Sequence, residues 1–140
     1  MKKSLISLLL LAASFTPAFA QEVKAVDHTL NAGKVEWLAR QASLGDIPFG
    51  KPKVAEFPFK NISSEPMYIN WVRTSCHCTA TNWPKEPIEP GQVGVITVEY
   101  DALIAGPFYK IVSVLTTFDP KNGVPLVISG KVVKEEVTGQ

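Results

Sequence analysis

The chain has 140 residues, of which 46% are hydrophobic and 19% charged. That is one domain's worth of sequence, and it excludes both a second large domain and wholesale disorder. Its 14 basic and 13 acidic side chains give a net charge of +1, so charge makes no case for a nucleic-acid partner.

Residues 1–20 have the layout of a secretory signal peptide. Lys2 and Lys3 lead an apolar run from Leu5 to Ala13, and Ala18-Phe19-Ala20 offers a small-x-small cleavage site before Gln21. The run is shorter than the ~20 apolar residues of a spanning helix, and no second one follows. The expectation is export to the periplasm or the extracellular medium, with no membrane span after cleavage. Losing the two lysines takes the net charge from +1 to −1.

Residues 21–44 read as an N-terminal arm. Lys34 to Leu38 is either a first strand or a short helical turn. Pro48, Gly50 and Pro52 mark Gly45 to Pro52 as loop. From Lys53 to Lys60, Ala55, Phe57 and Phe59 recur at period two, which predicts a strand with an edge or a bulge at Pro58. Met67 to Val72 alternates again, placing Met67, Ile69 and Trp71 on one face, so Trp71 is expected in the core and Trp83 in a partly exposed loop. Trp83 to Pro90 holds three prolines, and Pro90-Gly91 is a turn signal.

Val93 to Asp101 is the clearest strand, with Ile96, Val98 and Tyr100 on its apolar side. Gly106-Pro107 breaks the chain before a strand over Phe108 to Phe118. Asp119 to Gly123 is a turn cluster in which Asn122-Gly123 is a favoured hairpin pair. Leu126 to Val133 is the last strand, and residues 135–140 form a polar tail. Six or seven short strands without helical periodicity predict an all-β, immunoglobulin-like antiparallel β-sandwich of about seven strands, occupying residues 45–134. Ile96, Val98, Leu126 and Ile128 are the expected core.

The soft chemistry lies in Thr74-Ser75-Cys76-His77-Cys78-Thr79. Three readings compete there. The first is a Cys76–Cys78 disulfide, as an exporting compartment favours. An extended strand sets such residues ~6.7 Å apart, so the chain must bend at His77. The second is a soft-metal site, with Cys76, His77 and Cys78 offering thiolates and an imidazole to copper or zinc. Adjacent strand residues point to opposite faces, and only His28 and the Met67 thioether remain as further ligands. The third is thiol redox chemistry, since a short-loop disulfide is more reducible. Asn61-Ile62-Ser63 fits a glycosylation sequon. Glu86, Glu89 and Glu99 are carboxylates on solvated faces, and no nucleophile–base pattern points to an enzyme.

The order of features resembles the bacterial domain-of-unknown-function family 1573. Phe57-x-Phe59-x-Asn61, Met67-x-Ile69, Thr74-Ser75-Cys76-x-Cys78-Thr79, Ile88-x-Pro90-Gly91, Tyr100-Asp101, Gly106 and Leu126-x-Ile128-x-Gly130-x-Val132 carry the resemblance. It covers roughly residues 45–134. Family members usually have Gly between the cysteines, where this chain has His77. The resemblance implies a seven-stranded sandwich of the Hydin and major-sperm-protein kind in an exported bacterial protein, with no catalytic residues. The expected function is a non-enzymatic binding or structural module without a cofactor, meeting another envelope protein through a sheet edge or end loops. The alternative is a copper- or zinc-binding or redox-active protein using the Cys76-His77-Cys78 loop.

Overall fold

The computed structural model describes residues 33–134. The proposed signal peptide, most of the arm including His28, and the tail at 135–140 lie outside the described residues. Among the described residues, eight strands build two four-stranded sheets: β1 (Val35–Trp37), β2 (Gln41–Pro48), β3 (Lys53–Asn61), β4 (Ile69–Thr74), β5 (Thr79–Asn82), β6 (Val93–Tyr100), β7 (Gly106–Thr116) and β8 (Asp119–Val133). One sheet runs β1-β3-β6-β5 and the other β2-β8-β7-β4.

The inward faces of the two sheets meet in one core. Phe57 and Phe59 of β3, and Ile96 and Val98 of β6, are fully buried opposite Val114, Leu126 and Ile128 of β7 and β8. Period-two burial of β-branched and aromatic side chains is the dominant stabilising term of such a layered fold. The four core positions expected from the sequence are all at 0% exposure. Gly94 faces the Phe59 ring, which occupies the space a side chain there would need.

Four expectations are corrected. The sandwich begins at Val35 rather than at residue 45, because β1 pairs with β3 and β2 with β8. The first half of the Gly45 to Pro52 loop is strand: β2 runs on to Pro48 and pairs in parallel with β8, so the sandwich is mixed rather than wholly antiparallel. Between Ser43 and Asp46, β2 spends three steps against two on β8. This bulge, with Gly45 at φ 65°, turns both Leu44 and Ile47 inward and hides the period-two signal.

Trp71 is the third correction. One extra residue in β4 between Ile69 and Trp71 shifts the register against β7. Val72 therefore faces the core, and Trp71 is 59% exposed on the surface. Trp83 is half-buried as expected, and the two rings meet edge-on at 6.4 Å.

The fourth concerns the last hairpin. Thr116 pairs with Asp119, so the connection is Thr117-Phe118 and not Asn122-Gly123. The turn chemistry of 119–123 is real but lies within β8, where Asn122 N donates to Asp119 Oδ1 at 3.1 Å and Gly123 has φ 74°. Pro58 sits in an inner strand. Its carbonyl accepts from Leu38 N just past the end of β1, so its missing N–H also faces the side where the partner strand gives out.

Candidate functional site: the loop end of the sandwich

One end of the sandwich gathers the β2–β3, β4–β5 and β6–β7 connections and the chain leaving β8. Backbone hydrogen bonds stitch them together. Phe49 N donates to Val133 O and Gly50 N to Ala102 O, both at 2.9 Å, and Asp101 N donates to Cys78 O at 3.1 Å. Lys51 N closes a turn on Pro48 O, with Gly50 at φ 73°, a left-handed position that glycine takes without strain. Asp101 Oδ1 accepts from Leu103 N. Ala102 adopts φ 57° and is fully buried, which pushes the next residues outward.

Apolar side chains are thereby presented to solvent. Leu103 is 60% exposed, Ile104 62% and Phe49 44%. The Lys134 ammonium lies 5.2 Å from the Phe49 ring. Pro48, Phe49, Lys51 and Lys134 line a recess of about 380 Å³. These apolar loop residues were not singled out from the sequence. Leu103-Ile104-Ala105 lies between the end of β6 at Tyr100 and the start of β7 at Gly106.

The β4–β5 connection brings the cysteines to the same end. Cys76 and Cys78 are joined, with Cα atoms 5.4 Å apart, shorter than in a straight strand because the chain turns at His77 and Cys78. The Thr74 and Thr79 hydroxyls both donate to Cys76 O, at 3.0 and 3.5 Å. Cys78 packs against the core cluster. A depression of about 300 Å³ lined by Thr74, Ser75, Cys76, His77 and Thr79 opens beside Cys76.

Joined sulfurs offer no thiolate pair to a metal. Among the described residues, no group of three or more His, Cys, Asp or Glu side chains is placed to hold an ion. Met67 is fully buried and bridges Ile88 at the opposite end of β4 from the cysteines. The sequon asparagine is also committed elsewhere. Asn61 is fully buried, its Nδ2 donating to Glu65 O and Ile88 O at 2.8 and 2.7 Å and its Oδ1 accepting from Ser63. It holds the polar turn after β3 against the Ile88 strand bridge.

Solved structures share this architecture at low sequence identity. A protein of unknown function from Porphyromonas gingivalis W83 superposes with a TM-score of 0.62 at 13% identity, over 71% of this chain and 47% of that one. The Vibrio cholerae VesB protease gives 0.62 at 14% identity, over 74% of this chain and 33% of the protease. The ASH/PapD-like domain 7 of human CEP192 gives 0.62 at 10% identity, over 95% of this chain and all of that domain. The chain thus spans about half of the first structure and a third of the second. At such identities the likeness establishes the fold alone. No curated protein sequence matches the chain. The model of a protein family of unknown function, DUF1573, matches residues 35–132, from the start of β1 to one residue short of the end of β8, and on that match the chain belongs to the DUF1573 family.

Proposed function

We propose that the chain is an exported, non-enzymatic binding module of the bacterial envelope, and that another envelope protein docks on its loop end. The carrying observation is the cluster of exposed apolar side chains, Phe49, Leu103 and Ile104, on loops pinned to one another by backbone hydrogen bonds. Rigid loops on a packed scaffold are where binding residues concentrate, and exposed apolar groups gathered at one place mark contact surfaces.

The four sheet edges favour the loops over strand addition. β1 has three residues and β5 four. The longer edges, β2 and β4, are each interrupted by a bulge. Short or bulged edges resist pairing with a second chain. One structure of similar fold, the YadV chaperone, has a TM-score of 0.51 at 11% identity; its name supports protein partners for this fold only by analogy.

The test is capture from a matched envelope extract with the exported chain as bait, beside the Leu103→Asp/Ile104→Asp variant. The reading expects a protein retained by the parent chain and lost by the variant. Equal retention, or none by either, refutes it. Intact mass of the bait checks export at the same time: the expected mature chain begins at Gln21, and a retained Met1 in the envelope fraction overturns that part.

A further inference from the structure

We propose that the Cys76–Cys78 disulfide is a thiol–disulfide exchange site that accepts two electrons from a dithiol, with Cys76 the sulfur attacked and Cys78 the leaving sulfur. This goes beyond the docking role and does not depend on it.

Three observations carry the assignment. First, the bond ties no two elements together, since both cysteines lie in the one connection between β4 and β5. The chain-entropy gain of closing so short a loop is small. Second, the loop has other supports. Thr74 Oγ1, Thr79 Oγ1 and Asp101 N all donate to its carbonyls, so opening the S–S bond leaves the two thiols held close and able to re-form it. Third, the surroundings are unequal. The depression beside the loop is lined by Cys76 and the exposed His77, while Cys78 packs on the core.

The chemistry balances with the incoming dithiol as the two-electron reductant. A thiolate of the incoming dithiol attacks Cys76 Sγ. The Cys76–Cys78 bond breaks as the mixed disulfide forms, and Cys78 leaves as a thiolate that takes up a proton from water. The second thiol of the dithiol then attacks its own sulfur in the mixed disulfide. That releases the oxidised dithiol and a Cys76 thiolate, which is protonated in turn. Two electrons and two protons pass from the dithiol to the chain, once per chain. Two molecules of glutathione substitute for the dithiol with the same balance.

The test equilibrates the full exported chain, purified without reductant, in buffers of graded reduced-to-oxidised glutathione ratio. Acid quenching, thiol alkylation and mass measurement count the thiols, and circular dichroism follows the sheets. Exchange predicts that two thiols appear with the β-sheet signal unchanged, because disulfides that serve only as staples resist the glutathione pool. If no thiols appear until urea unfolds the sandwich, the proposal fails.

A second measurement addresses the direction of attack. Mixed disulfides quenched early in the reaction of the parent chain are mapped by peptide mass. Glutathione on Cys76 is expected in excess of that on Cys78 by about tenfold, following access to the sulfur. Equal labelling, or an excess on Cys78, overturns the assignment. A reduced chain that retains one equivalent of copper or zinc through gel filtration would replace exchange by metal ligation. The Leu103→Asp/Ile104→Asp chain should exchange with glutathione as the parent does. Loss of exchange in that folded variant would make exchange depend on the docking surface and overturn the proposal as stated, whereas loss of protein capture alone bears only on the docking reading.

Discussion

Asn61 makes four hydrogen bonds from a fully buried side chain at the end of β3. Asn61→Ala removes all four bonds, although Ile88 O keeps Met67 N and Glu65 O keeps the Ser63 hydroxyl as donors, and each hydrogen bond lost costs a net ~0.5–1.5 kcal/mol. A loss of about 2–4 kcal/mol in urea unfolding is expected on that basis. A loss below about 1 kcal/mol would mean that the turn is held by something else. Tyr100 makes a pH prediction. Its ring stacks on Phe108 at 4.1 Å, and burial, followed by the neighbouring Asp101 carboxylate, raises its phenol above 10.0. Below that pH both folded and unfolded chains keep the proton. Above it the unfolded chain ionises first, so stability falls as pH rises. The urea midpoint should therefore drop between about pH 9 and about pH 11, with less of a drop in Tyr100→Phe. Identical slopes in the two chains would place the alkaline loss elsewhere.

Two predictions concern whole elements. Ile96 is fully buried in the middle of β6, facing the opposite sheet. Ile96→Ala should destabilise by ~2–5 kcal/mol, the usual range for a buried large-to-Ala change, and a change below about 1 kcal/mol would contradict the inward facing of β6. The β4–β5 connection predicts a small effect. Replacing both Cys76 and Cys78 by Ser should cost about 1.5 kcal/mol, less than the ~2–5 kcal/mol of a typical native disulfide, and the chain should still fold. A double variant with no folded baseline in the urea curve would make the pair a structural staple. The elements the sequence hid were hidden by bulges. Leu44 and Ile47 are three apart, and no period-two template joins them until an extra residue in β2 turns both inward. β5, with Thr79, Ala80, Thr81 and Asn82, has no apolar face to announce it and is defined by pairing with β6.

At the scale of the molecule, the loop end and the sandwich body are separable. Leu103 and Ile104 lie outside the core, so Leu103→Asp/Ile104→Asp should leave stability within about 0.5 kcal/mol of the parent, as exposed positions do. A larger loss in urea unfolding would show that the two side chains pack on the core rather than on a partner. The edges point the same way. Their blunting by short length and by bulges disfavours association through strand pairing, and the exposed apolar groups at the loops remain for a partner.

The fold class, the apolar faces of β3 and β6, the core residues Ile96, Val98, Leu126 and Ile128, and the Pro90-Gly91 turn, where Gly91 has φ 82° and Gln92 N donates to Glu89 O, were all legible in the residues alone. These features rest on local rules: side-chain alternation along a strand and the backbone freedom of glycine. Tertiary structure decided what depends on a neighbouring strand. The bulge in β4 put Trp71 outside and Val72 inside. The ladder between β7 and β8 moved the hairpin to Thr117-Phe118. The meeting of four chain segments put Phe49, Leu103, Ile104 and the Cys76–Cys78 loop at one end. Register and loop placement are set by long-range hydrogen bonding between strands, and the order of residues along the chain carries no local signal of that pairing.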